Sequence, residues 1–376
     1  MGKITSSLTQ NAFHLEIRPC AMAKMKPAEK RARDWAHLQH RLSDLSDEAL
    51  VAMRDAAPLK PGLGNNREIE LDGFKLFAKS LPVTQQELSS PFGTRNIHSL
   101  PAAYSYGVGS AGFRAGREWA MHQKTTQWVL DGACPHFPLM FHHRLLPAGA
   151  RAPAMRTEEL AAYTRSWNGN PSIGRFMSAR ATATHEILVF LEHVPFVLRD
   201  WFLDKPEAAT PFIEQMGETA RFLSERGVVH FDAHSGNILT DGETFYLTDF
   251  GLSMDRSFDL SSTEQAFLLQ HRHYDLGLIL CALWLPFSGA IQNLAEDSLR
   301  ALNRRYGDTQ IPTLASHLSA LVEKRLLDLP DAYVQTVSPH LDVFIEMNRF
   351  LIEMSKPSKS ARYRDSVVAA AIRRSV

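Results

Sequence analysis

Three side chains set the chemistry this chain is equipped to attempt. Asp232 and Asn237 stand in the run Val229-His230-Phe231-Asp232-Ala233-His234-Ser235-Gly236-Asn237-Ile238-Leu239, and Asp249 stands in Thr248-Asp249-Phe250-Gly251. Phosphoryl transfer asks a protein for a carboxylate beside the attacking hydroxyl, oxygen ligands for a hard cation such as Mg2+, and positive charge on the phosphates. Asp232 suits the first task. Asn237, with a neutral amide oxygen, and Asp249, with a charged carboxylate, suit the second. His230, Asp232 and Asn237 are each residue types that also serve as ordinary turn formers, so the ordered set carries the reading rather than any one of them.

These side chains need elements to hold them. Between Asn237 and Asp249 the residues from Ile238 to Thr248 read as two short strands joined at Asp241-Gly242, a pair that favours a hairpin and so returns Asp249 to the neighbourhood of Asn237. Upstream, Ile213, Met216, Ala220 and Leu223 recur at helical spacing, and Gly227 is placed to end that helix. Further back, Gly62-Leu63-Gly64 precedes a strand from Arg67 to Leu71, a turn at Asp72-Gly73, and an alternating strand from Phe74 to Leu81 that carries Lys79. A helix is expected over Gly116 to Leu130, stopped by Gly132. Before it, Pro82, Pro91, Pro101 and the run Tyr106-Gly107-Val108-Gly109-Ser110-Ala111-Gly112 indicate an inserted loop, and Pro147 to Ile173 reads as a second. The apolar run His185 to Leu191 passes through Glu192 and Val194 into a kink at Pro195. Tyr274 to Trp284 is apolar nearly all round, as a buried helix is, with Asp275 inside it.

In this order, from about residue 58 to 350, the chain resembles the protein-kinase-like superfamily, most closely in Val229 to Asn237 and Phe245 to Leu252. The resemblance implies an α+β, bilobal protein-kinase-like fold, with a small β-rich N-lobe over residues 58–192 and a larger mainly helical C-lobe over 193–355; outside it, the residues themselves read as a helical N-terminal extension over 1–57 and a basic tail over 356–376. It implies ATP and Mg2+ as cofactors. Gly62 and Gly64 would cover the phosphates, Lys79 would hold the α and β phosphates, and Glu118 would hold Lys79, with Glu87 as the rival for that pairing. Backbone groups near Glu192 and Val194 would read the adenine, Asn237 and Asp249 would bind the metal, Asp232 would be the catalytic base, and Asp275 would hold the backbone of the catalytic loop.

Two departures bear on the acceptor. His234 stands where eukaryotic-type protein kinases carry a lysine that contacts the transferred phosphate, which is similar to aminoglycoside or choline phosphotransferases. No Ala-Pro-Glu follows Asp249, so the usual peptide platform is shortened or absent. The expected function is an ATP-dependent phosphotransferase acting on a hydroxyl, an atypical protein serine/threonine kinase. A small-molecule kinase is the alternative and a non-catalytic nucleotide-binding scaffold a third reading. His234, as a donor to the γ-phosphate, would make activity fall as pH rises through its titration. Ser261, Ser262 and Thr263 are either phosphorylation sites or a helix cap.

The chain has 376 residues, 44% of them hydrophobic, and a formal net charge of zero. That length can bury a sizeable core. Zero net charge argues against a nucleic-acid partner held through phosphates. Three cysteines without a CxxC pair suggest a reducing cytoplasm, and neither a secretion signal nor an apolar run of membrane-spanning length is read. Trp35, Leu38, Leu42 and Leu45 give the N-terminal segment an apolar face for packing on the lobes, and the basic C-terminal stretch is either a solvated tail or a docking helix.

Overall fold

The computed structural model describes residues 27–60, 65–151, 153–306 and 311–375. Helices α1 (Pro27–Ser43) and α2 (Asp47–Ala56) lead into strands β1 (Asn65–Leu71) and β2 (Phe74–Val83). Asp72 and Gly73 join the strands with φ of 51° and 80°, the left-handed pair that a two-residue hairpin turn needs to match strand twist. An irregular stretch with one 3-10 turn (Ala102–Ser105) is followed by α3 (Ala115–Leu130), β3 (Met140–Pro147), α4 (Thr157–Ser166), α5 (Pro171–Ala181) and β4 (His185–Glu192). The four strands pair antiparallel in the order β1-β2-β4-β3.

Strand alternation distributes the side chains of β2 between two cores. Leu76 and Ala78 face one way, into a cluster with Phe190 and with Leu38, Leu42 and Leu50 of α1 and α2. Leu81 and Val83 face the other way, against Ala115 and Trp119 of α3. Lys79 has the parity of Leu81 and so points towards α3. The N-terminal helices therefore form one layer of the sheet domain, and Trp35 fixes their register by donating its indole N–H to the Met140 carbonyl at 2.9 Å. Leu42 is fully buried. Leu42→Ala is expected to cost about 2–5 kcal/mol of unfolding free energy through lost burial and the cavity left behind, read as a lower urea midpoint with an unchanged slope.

Beyond the sheet come β5 (Phe196–Val197), α6 (Leu198–Trp201), α7 (Ala209–Glu225), β6 (Val228–Val229), β7 (Ile238–Thr240), β8 (Phe245–Leu247) and β9 (Met254–Asp255). Helices complete the chain: α8 (Ser262–Leu269), α9 (Tyr274–Ala282), α10 (Leu285–Gln292), α11 (Glu296–Tyr306), α12 (Ile311–Ala315), α13 (Leu318–Glu323), α14 (Asp331–Val337), α15 (Leu341–Ser355) and α16 (Asp365–Arg374). The fold class is α+β, a small antiparallel sheet followed by a helical C-terminal region.

Several expectations need correction. The span from Pro147 to Ile173 is not a plain loop, because α4 lies in it and α5 begins there. Pro171 occupies the first turn of α5 behind Asn170, whose side chain accepts from the Ser172 N–H at 3.0 Å. A proline in that position starts a helix rather than breaking one. The C-terminal stretch is not a free tail. In α16 the side chains of Val368, Ala371 and Ile372 are buried, and Asp365 pairs with His273 at 2.9 Å. Tyr274–Gln292 is apolar and long enough by composition to cross a membrane, with a mean hydropathy of 1.6, but 72% of it is buried inside the fold. Its hydropathy is that of a core element. Ser261 is a helix cap: its hydroxyl accepts from the Glu264 N–H while the Glu264 carboxylate accepts from the Ser261 N–H.

Candidate active site

Lys79, Glu118 and Asp249 come from three separate elements and meet. The Lys79 ammonium, opposite Val189 in the β2–β4 register, lies 2.5 Å from Glu118 Oε1 and 2.9 Å from Asp249 Oδ1. Glu118 is in the first turn of α3. Glu87, the rival, is elsewhere: its carboxylate accepts from the Thr84 N–H at 2.7 Å and faces Arg114 at 3.8 Å. Helix α3 is held over the site at two further points, through Arg117 to Glu264 at 2.6 Å and Lys124 to Asp255 at 2.5 Å. Gly251 permits the close approach, since a Cβ there would stand 3.0 Å from Glu118 Oε2. The Asp249 side chain is 44% exposed against 12% for Lys79 and 10% for Glu118, so Asp249 is the member of the trio open to a ligand.

The second group of residues sits on the loop between β6 and β7. The β7–β8 hairpin pairs Ile238 with Leu247, and the Thr248 N–H donates to the Asn237 carbonyl at 3.0 Å, which brings Asn237 beside the segment bearing Asp249. The Asn237 amide donates to Asp232 Oδ2 at 2.8 Å and to the Asp232 carbonyl at 3.0 Å, leaving its oxygen turned away from Asp232. His230 joins the two loops: one ring nitrogen accepts from the Asp232 N–H at 3.2 Å and the other donates to the Thr248 carbonyl at 3.0 Å. Asp275 accepts from the N–H groups of His230 at 2.6 Å and Phe231 at 2.9 Å. Phe231 and Asp249 both have left-handed backbones, with φ of 63° and 65°. Non-glycine residues hold that conformation at a cost, and such strain gathers where side chains must be aimed.

Charge and burial set the protonation states. Burial disfavours the Lys79 ammonium, but Asp249 and Glu118 overcome it and hold its pKa above the usual lysine range. The same pairing, against the effect of burial, keeps the Asp249 carboxyl at about 2. Asp232 goes the other way, pushed up to about 8 by burial and then by the neighbouring Asp249 charge. Burial lowers the pKa of His234, whose Nδ1 accepts from the Gly236 N–H at 2.9 Å and whose Nε2 lies 3.5 Å from Asp232 Oδ1.

At the expected adenine edge, the Glu192 N–H donates to the Leu139 carbonyl at 2.8 Å, and the Glu192 carboxylate takes two hydrogen bonds from Arg31 of α1 at 3.0 and 2.6 Å. Val194 follows β4 in the kink before β5. Gly62 and Gly64 lie outside the described residues. One neighbour was missed in the sequence. Gly107 packs on Asp232 so closely that a Cβ at position 107 would stand 1.6 Å from Asp232 Oδ1. The glycine run was visible as an inserted loop, but nothing local ties it to a residue so far along the chain.

No family model matches the chain. The chain is similar, with 30% identity over 116 residues, to a probable bifunctional tRNA threonylcarbamoyladenosine biosynthesis protein of Methanosarcina mazei. The match takes in 28% of this chain, which spans about a fifth of that relative's length (21%). This finding corrects the expected function, a kinase passing the γ-phosphate to a protein or small-molecule hydroxyl, because the matching protein bears a tRNA-modification name rather than that of a kinase. The coarser expectation of an enzyme is in keeping with a match to a biosynthesis protein.

Proposed function

We propose that this chain is a kinase-like ATPase serving tRNA modification, built on the bilobal protein-kinase-like plan with the sheet and α3 on one side of the nucleotide and the helical region on the other. The observation that carries the reading is the Lys79 ammonium held between Glu118 and Asp249, next to a loop that presents Asp232 and Asn237. The name of the matching relative supplies the tRNA setting. Lys79 would meet the α and β phosphates of ATP. Mg2+, with the Asn237 amide oxygen and the open Asp249 carboxylate as protein ligands, would neutralise charge on the phosphates. Among the described residues no group of three or more His, Cys, Asp or Glu gathers at one point, so water and phosphate would complete the shell, as this cation prefers.

Asp232, once ionised, orients an attacking water and takes its proton. Because its pKa is pushed up to about 8, the base form is scarce at pH 6 and prevails above pH 8. Phosphate release from Mg2+-ATP by the purified chain should therefore rise in kcat/KM through about pH 8, the free-enzyme value being the one this parameter reports. Asp232→Asn should remove the rise and lower the rate by about 10²- to 10⁴-fold, with ATP affinity kept. Zero net charge gives the chain little long-range attraction for nucleic acid, so the proposal places its part in nucleotide hydrolysis and leaves the grip on tRNA to other components. Nucleoside mass spectrometry of tRNA from cells lacking the chain tests the setting. An unchanged modified-nucleoside profile, together with no Mg2+-dependent phosphate release in vitro, would defeat the proposal.

A further inference from the structure

Helix α1 reaches the seam behind the site through one side chain. Arg31 lies one turn before Trp35, on the same face of α1. It gives the Glu192 carboxylate two parallel hydrogen bonds, Nε to Oε1 at 3.0 Å and Nη2 to Oε2 at 2.6 Å. The same guanidinium donates to the Pro135 carbonyl at 2.9 Å and the Phe137 carbonyl at 2.7 Å, and it lies 5.3 Å from the centre of the Tyr246 ring in β8. A planar fork of N–H donors can serve a carboxylate and two carbonyls at once, which a compact ammonium cannot.

Each of these partners leads into the candidate site. Glu192 ends β4 at the expected adenine edge, where its carboxylate accepts from the Leu139 N–H at 3.1 Å and its own N–H donates to the Leu139 carbonyl at 2.8 Å. The stretch from Pro135 to Phe137 is bonded to β8, because the Leu247 N–H donates to the His136 carbonyl at 2.9 Å and His136 Nδ1 donates to the Phe245 carbonyl at 3.0 Å. Asp249 follows Leu247 by two residues. One guanidinium therefore ties the end of β4 to the strand that delivers Asp249. The pair is 16% exposed at Arg31 and 23% at Glu192, so it is largely shielded from the water that weakens surface ion pairs.

We propose that Arg31 is a positioning residue for the nucleotide: through Glu192 and the 135–137 stretch it holds the adenine edge and the strand leading to Asp249 at one fixed spacing before ATP arrives. This rests on the nucleotide-binding reading above. Arg31 touches neither phosphate nor metal in that reading, so its effect falls on the share of free chains already aligned. A ligand's apparent affinity drops in proportion to that share. Bound nucleotide, which meets both edges, selects the aligned state and so preserves turnover at saturation.

Kinetics and hydrogen exchange test this separately. Arg31→Ala should raise KM for Mg2+-ATP about tenfold, as follows if the aligned share falls to about a tenth, with kcat changed by less than about twofold. Arg31→Lys, which can replace part of the fork but not all of it, should give an intermediate KM. Glu192→Gln alone should raise KM as well, and the double variant Arg31→Ala, Glu192→Gln should match Arg31→Ala, because partners in one network do not act additively. A lowered kcat at unchanged KM, as loss of folded chain would give, or single effects that multiply in the double variant, overturns the proposal. The second measurement needs no turnover. Exchange in the ligand-free chain, followed by mass spectrometry over residues 189–194 and 245–249, reports the N–H groups of Glu192 and Leu247, both hydrogen-bonded across the seam. Arg31→Ala should speed exchange in both segments by at least about tenfold and leave α15 unchanged. Exchange at the wild-type rate in either segment overturns the proposal. If the wild-type chain binds no ATP, the nucleotide reading fails and the positioning role for ATP goes with it, while the exchange result still decides whether Arg31 holds the two edges together.

Discussion

Lys79→Met is expected to abolish Mg2+-dependent ATP hydrolysis, with kcat/KM falling by at least about 10²-fold, and to destabilise the fold as well. Among the described residues, the ammonium is the one cation within 3 Å of both Glu118 and Asp249. A positioned charge on the phosphates is commonly worth about 3 kcal/mol in the transition state. Methionine keeps the length and packing of the side chain but leaves two carboxylates facing each other across the gap. Glu118, 10% exposed, then becomes a buried charge with its cation gone, and breaking a buried pair costs about 3–5 kcal/mol. The lower end applies here, because Asp249 opens to solvent and can shed part of the strain. Lys79→Arg should not rescue, since a planar fork cannot replace a compact ammonium in contact with two carboxylates on different elements. Calorimetric titration with Mg2+-ATP and urea unfolding check the two effects separately. ATP affinity equal to wild type in Lys79→Met would show that the lysine does not meet the phosphates.

The parts of this arrangement that were legible in the sequence are those set by local chemistry. Asp72-Gly73 and Asp241-Gly242 mark hairpin turns because their backbones take left-handed or otherwise restricted angles that these residues tolerate, and each turn delivers a functional segment: β2 with Lys79 from the first, Asp249 from the second. Gly227, at φ 72° after α7, ends its helix for the same reason. The choice of Glu118 over Glu87 was open in the sequence. It was decided in space by the parity of β2, which turns Lys79 towards α3, while Glu87 is occupied within its own loop.

What could not be read depends on contacts between distant segments. Prolines at 147, 153 and 171 suggested a loop, yet Pro171 opens α5 and α4 supplies Tyr163 to the segment above Asp232. The raised pKa of Asp232 comes from burial and the nearby Asp249 charge, which no spacing rule reports. The cover over Asp232 lies in the same category: the glycine run was visible as an inserted loop, whereas its contact with Asp232 is made only by the folded chain.

Asp275 offers the second large effect, and it separates folding from chemistry. Its carboxylate, 4% exposed, accepts from two adjacent backbone N–H groups, those of His230 and Phe231. Asp275→Ala would leave both donors buried and unpaired, at about 1–3 kcal/mol each, beneath a Phe231 whose left-handed backbone needs that support. The expected result is a loss of about 3–5 kcal/mol in urea unfolding, together with loss of ATP hydrolysis, because Asp232 follows directly on the released peptide. Asp275→Asn keeps one acceptor and should cost less, about 1–3 kcal/mol. The two variants also differ from wild type in pH dependence. Burial pushes the Asp275 carboxyl up to about 7, above its unfolded value, so its protonation favours the folded state. That contribution is complete below about pH 4 and declines as pH rises through about 7, at up to about 1.4 kcal/mol per pH unit for one proton. Asp275→Asn has no such proton to lose, and its stability should change less between pH 4 and 7 than that of the wild-type chain. A wild-type curve that rises with pH across this window, or an Asn variant with the same slope, would show that Asp275 stays ionised and that its hydrogen bonds to His230 and Phe231 outweigh its burial.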